Sequence, residues 1–216
     1  MKKLIIPPKT ERLFEKNPFL FTRGHDFVEI GGIKWATCNV GAKCPADIGL
    51  YFQWGDTKGY TAKQVRNYEK RFNWHNYPIN KYNATDGKTV LDISDDAVHA
   101  VWGGAWRMPT TEEFETLYKA VNTFWTDNYQ GSGMSGMVLT DRTDSSKELF
   151  FPSTGYGFEG YIEDLEGSCY FWTRSLSFID NTRSYYTRLG RSYINIRVQT
   201  SRTYGFPVRG IIKTMT

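Results

Sequence analysis

The sequence predicts an α+β fold: two helices and a many-stranded, mainly antiparallel sheet, with long loops between elements. Three observations predict it. Period-two segments and short aromatic runs bounded by glycine recur at both ends of the chain, the mark of locally paired strands. Helical signals are confined to residues 92–121, so helices are grouped instead of alternating with strands. Glycines 131, 133, 155, 157, 160 and 167 punctuate the C-terminal half as turns. The 216 residues allow a single domain with a substantial core, and 16% aromatic against 23% charged residues marks a folded chain.

In chain order, residues 1–25 carry Pro7, Pro8, Asn17-Pro18 and alternating charges, and read as an arm or linker through which copies could associate. Residues 26–216 form the domain. Phe27-Val28-Glu29-Ile30, a Gly31-Gly32 turn and Ile33-Lys34-Trp35-Ala36 predict a hairpin, and Gly49–Gly55 a second aromatic strand. Residues 56–90 have no period and read as long loops. Asp92, Asp95 and Asp96 lead into a short helix, Ala97–Trp102, ended by Gly103-Gly104. Thr110 and Glu113 have capping-box spacing, and Phe114, Leu117, Tyr118 and Val121 follow at i, i+3, i+4 and i+7. Strands are expected at Met137–Leu139 and Leu149–Pro152.

Residues 174–209 differ from the rest in composition. They hold seven of the chain's 13 arginines, none of its 14 lysines, none of its 11 glutamates and the single acid Asp180. Tyr193, Asn195, Arg197 and Gln199 alternate with Ile194, Ile196 and Val198, and Tyr186 and Arg188 alternate with Tyr185, Thr187 and Leu189. Two strands joined near Gly190-Arg191-Ser192 would therefore share an apolar inner face and a Tyr/Arg/Asn outer face. Tyr with broad contact at low rotamer cost, Arg with planar multi-donor contact, and adaptable Asn and Ser are what binding surfaces favour. A solvated face with a few stacked Arg–Tyr pairs is the plainer alternative.

Several classes are disfavoured. The Met1-Lys2-Lys3 start is followed by only Leu4-Ile5-Ile6 before Pro7, short of the roughly 7–15 apolar residues of a secretory signal. No apolar run approaches the ~20 residues of a membrane span, so membrane insertion is not expected. The protein is then virion-associated or cytoplasmic before release, or at a surface after removal of a leader. Cys38, Cys44 and Cys169 lack metal-ligand spacing, and His25, His75 and His99 are scattered, so neither metal nor cofactor is expected. Three free or half-buried thiols are favoured, with one disulfide and an odd thiol as the alternative. Asp92, Asp95 and Asp96 could ligate calcium, but the favoured reading is acids at a helix start that offset exposed N–H groups and the macrodipole. Trp102 and Trp106 read as core rather than sugar platforms. The modest net charge of +4 argues against nucleic acid.

A family resemblance rests on longer runs. Trp35–Ala42, Gly49–Asp56, Lys88–Leu91, Trp102–Thr110, Phe171–Leu176 and Gly205–Arg209 are similar, in order, to the major paralogous domain proteins of gut Bacteroidetes. The match extends over about residues 26–212. That resemblance implies a C-type-lectin-like fold, related to the formylglycine-generating-enzyme type of domain. It further implies similarity to the variable proteins of diversity-generating retroelements, in which template adenines are randomised. Altering the first two bases of an AAC codon never yields Lys, Glu, Gln, Met or Trp, and residues 174–209 obey this except at Gln199. The implied ligand-binding positions are Ser177, Phe178, Ile179, Asp180, Tyr186, Arg188, Tyr193, Asn195 and Arg197.

An enzyme is not expected. Formylglycine-generating enzymes need two C-terminal cysteines, where this chain has only Cys169, and sulfoxide synthases need a histidine set that is missing. The Glu-Pro-Asn sugar–calcium motif of true C-type lectins is also absent. The expectation is a non-catalytic module that binds a protein or glycan receptor on a cell surface. The alternative is a structural component of a surface or fimbrial assembly with a passive exposed face.

Overall fold

The computed structural model describes residues 24–67 and 81–213, and most of the 1–25 arm and part of the 56–90 stretch lie outside them. The described chain is α+β: eleven strands in four antiparallel sheets, with three short helices. β1 (Phe27–Ile30) and β2 (Ile33–Asn39) form the expected hairpin, turned by Gly31 and Gly32 at φ of 61° and 73°. The C-terminal strand β11 (Arg209–Ile212) pairs with β2 on its other side.

The helices follow their local signals. α1 (Ala62–Arg66) lies in a stretch that reads as loop, so three helices replace the expected two. It is one turn long and buries only Val65; its Thr61/Gln64 capping box is its sole sequence signal. α2 (Ala97–Trp102) is capped by Asp96, whose carboxylate accepts from the His99 N–H, and stops at Gly103. α3 (Thr111–Ala120) carries the Thr110/Glu113 box and buries Phe114 and Leu117. Val121 does not extend α3. It opens strand β3 (Val121–Thr126), which pairs with β4 (Gly136–Asp141), and β4 with β5 (Glu148–Pro152). The aromatic run at Gly49–Gly55 forms only bridges, Tyr51 to Tyr60 and Phe52 to Phe206.

The hairpin of β6 (Tyr156–Phe158) and β7 (Tyr161–Glu163) precedes the third sheet, ordered β10 (Tyr193–Ser201), β9 (Arg183–Gly190), β8 (Ser168–Leu176). β8 is the partition of the molecule. Cys169 and Phe171 point into a cluster with α3, Trp35, Phe151 and Leu189. Tyr170 and Trp172 point the other way, onto Trp54, Trp106, Phe206 and Val208. Trp106 is thus core, while the half-buried Trp102 stacks on His25 at 4.2 Å.

Buried Arg209 ties these layers together. Its guanidinium donates to Asn39 Oδ1 (2.8 Å) and to the carbonyls of Ala36 (2.8 Å), Thr37 (2.8 Å) and Phe150 (3.0 Å). It also lies 4.5 Å from the Phe151 ring centre, and burial lowers its pKa to about 10. All three cysteines are free thiols, and Cys169 is buried with its Sγ on the Phe151 carbonyl.

Candidate ligand-binding face

Directly opposed residues of antiparallel strands share a face. β9 and β10 pair Asn195 with Arg188 and Tyr193 with Gly190, and β8 and β9 pair Tyr170 with Arg188 and Trp172 with Tyr186. Tyr186, Arg188, Tyr193 and Asn195 therefore stand on one face, as their alternation predicts. Tyr185, Thr187 and Leu189 are buried on the other.

The register shifts between Asn195 and Val198, and this bulge breaks the alternation. Val198 comes opposite Tyr186, on the Tyr/Arg face, while Gln199 joins Tyr185 behind it. Arg197 turns to α3, with Nε 2.6 Å from Glu115 and Nη2 3.2 Å from Glu112. Arg197 is thus removed from the expected face. Ile194, expected inside, is 36% exposed because β10 is the edge of its sheet.

The other four expected residues lie in the β8–β9 loop. Ser177 is buried: its Oγ donates to Gln199 Oε1 (2.5 Å) and accepts from the N–H groups of Ile179 and Asp180 (3.2 Å each). Asp180 accepts from Thr182 and pairs with Arg183. This turn holds Phe178 and Ile179 outward, 79% and 69% exposed, beside a cleft of about 530 Å³ lined also by Asn83, Lys88 and Thr89. Arg188 is five residues beyond the start of β9, or roughly 17 Å at ~3.3 Å per residue. The nine positions form two groups at opposite ends of β9, with Arg197 behind.

At the Arg188 end the face is built on aromatic rings. Tyr186 packs against Phe206 at 4.8 Å, Tyr156 against Tyr170 at 5.2 Å and Tyr204 at 5.6 Å, and Phe158 stacks on Tyr204 at 4.4 Å. The Arg188 guanidinium is 5.1 Å from the Tyr170 ring centre and 5.0 Å from that of Tyr193. Its Nη2 donates to Asp164 Oδ2 at 2.9 Å, and the Tyr170 hydroxyl donates to the same oxygen at 2.8 Å. Burial works to raise the Asp164 pKa, but hydrogen bonds from Ser168, Tyr170 and Arg188 outweigh it and hold the carboxyl below its ordinary value. The Tyr193 hydroxyl shares a 2.8 Å hydrogen bond with Ser168 Oγ.

Sequence reasoning misses Tyr156, Phe158, Asp164 and Tyr204. One signal could have found two of them: Tyr156 and Phe158 flank Gly157, where an added Cβ would come 2.8 Å from Val65 of α1. A glycine between two aromatics marks this close approach.

The arginine enrichment needs correction as well. Arg202 and Arg209 are buried, and Arg174 is largely buried, donating to the Leu91 carbonyl at 2.5 Å. Arg183, Arg188, Arg191 and Arg197 pair with Asp180, Asp164, Asp127 and the Glu112/Glu115 pair. The segment is not a free cationic surface. Asp92 and Asp95 are likewise engaged by Lys81, and Asp92 also by Lys88, while Asp96 caps α2 and accepts from Met108 N–H. Among the described residues, no three His, Cys, Asp or Glu side chains converge as a metal site, and no helix is long and apolar enough to cross a membrane. No family model, no curated protein and no solved structure matches this chain.

Proposed function

We propose that this chain is a non-catalytic, C-type-lectin-like binding module whose contact surface is the face carrying Tyr186, Arg188, Tyr193 and Asn195. The partner class is a protein or glycan receptor on a cell surface. The observation that supports this most is pre-organisation: Asp164, Tyr170 and Ser168 hold Arg188 and Tyr193 in place over buried rings. Such rigid Tyr and Arg side chains lose little conformational entropy on binding. Retroelement diversification of residues 174–209 is part of the proposal. Gln199, the codon exception, bonds Ser177 behind the face and does not belong to the contact surface.

The test combines Tyr186→Phe, Arg188→Gln, Tyr193→Phe and Asn195→Ala, which keeps the packed rings. On an array of cell-surface proteins and glycans, binding should fall at least about tenfold with an unchanged fold. Retained binding would overturn the assignment. A reverse-transcriptase gene beside a near-identical, adenine-rich repeat of the 3′ coding end would support diversification, and its absence would count against it.

One feature favours the alternative of a structural assembly component. β3 pairs only with β4 among the described residues, and its Phe124 is 56% exposed. Sedimentation should then show assembly that Phe124→Lys abolishes.

A further inference from the structure

The charge around the face is opposite to what the arginine count suggests. Residues 148–173 contain Glu148, Glu159, Glu163, Asp164 and Glu166 and not one Lys or Arg. The β6–β7 hairpin places two of these acids at the edge of the aromatic rings. The Tyr156 hydroxyl donates to Glu163 Oε2 at 2.5 Å, so this carboxylate stands beside the Tyr156–Tyr204 pair. Glu159 occupies the hairpin turn next to Phe158, with φ of 45°, and is exposed. Among the described residues neither forms an ion pair, although α1, which packs on the hairpin, carries Lys63 and Arg66.

From this we infer that the face, if it is the binding surface proposed above, receives the lysine or arginine side chains of a basic protein segment at its Tyr156–Tyr204 edge, beside Glu159 and Glu163. Other residues of that segment contact Tyr186, Arg188, Tyr193 and Asn195. A carboxylate accepts several hydrogen bonds, and Glu163 has given one site to Tyr156. Half-exposed tyrosine rings beside a carboxylate supply both attractions a cation uses, the ring quadrupole and the counter-charge. Several polar groups of the face are already engaged within the protein: Arg188 Nη2 on Asp164, the Tyr193 hydroxyl with Ser168 and the Tyr156 hydroxyl on Glu163.

The test is a chemical-shift titration of the ¹⁵N-labelled full chain with hexalysine, hexaglutamate and cellotriose. The chain's net charge of +4 opposes non-specific uptake of a polycation. Hexalysine should shift residues 156–163, 186 and 204, with an affinity that salt weakens. Glu159→Gln with Glu163→Gln should weaken it at least about tenfold. Glu166→Gln is the control, since Glu166 lines a separate cleft with Arg191. Equal shifts with hexaglutamate, or an unchanged affinity in the double variant, would overturn the inference. If cellotriose alone moves these residues, the cation preference falls and the binding face stands. If no probe moves them and the array result survives the four face substitutions, both fall.

Discussion

Replacing Arg209 with Met tests whether the buried guanidinium holds the layers together. Met fills a similar volume without polar atoms, so the variant removes four hydrogen bonds of 2.8–3.0 Å and leaves their acceptors on β2 and β5 buried. At roughly 1.5–3 kcal/mol per bond to a charged group the gross loss is about 6–12 kcal/mol. Relief from burying a charge returns several kcal/mol, leaving a net loss of about 3–5 kcal/mol. For a chain of this size that corresponds to a Tm lower by roughly 6–20 °C. Urea melts compared at equal slope give the difference directly. Arg209→Lys should recover less than half, because one ammonium cannot span acceptors on two strands. A Met variant within about 1 kcal/mol of the wild type would show that packing alone joins the layers.

Arg197→Ala should leave face binding intact and cost less than about 1 kcal/mol in a urea melt, since solvent screens its pairs with Glu112 and Glu115. Loss of binding would mean that the bulge does not turn this residue away. Asp164 has a lowered folded-state pKa, so its stabilising contribution is present above the ordinary 3.8 and disappears as pH falls through the folded value. Its ¹³C carboxyl resonance should accordingly titrate with a midpoint below 3.8 in the native protein, and Arg188→Gln should move that midpoint upward. Gly167→Ala would bring a Cβ to 2.0 Å from Asp164 Oδ1, displacing the carboxylate. Hydrogen exchange at the Arg188 guanidinium should then accelerate.

Features set by neighbours along the chain are legible in the residues themselves. The Gly31-Gly32 hairpin, the Thr110/Glu113 box and the Gly103 stop involve contacts within a few residues, and each appears as expected. Alternation likewise places Tyr186, Arg188, Tyr193 and Asn195 together. α1 escapes detection because one turn with one buried residue has no period to detect. β3 is obscured because Val121 continues the apolar spacing of α3, and only pairing with β4 decides where the helix ends.

By itself the sequence determined a mainly antiparallel α+β chain and, from backbone periodicity, a shared face for Tyr186, Arg188, Tyr193 and Asn195, to which the same alternation also assigned Arg197 and Gln199. Tertiary structure decided which arginines are exposed. Composition counts guanidinium groups, but only packing assigns three to the interior and brings carboxylates from 82, 64 or 24 residues away to Arg197, Arg191 and Arg188. It also decided the bulge that sends Arg197 to α3. The face consequently presents aromatic rings beside Glu163, where the local sequence suggested positive charge.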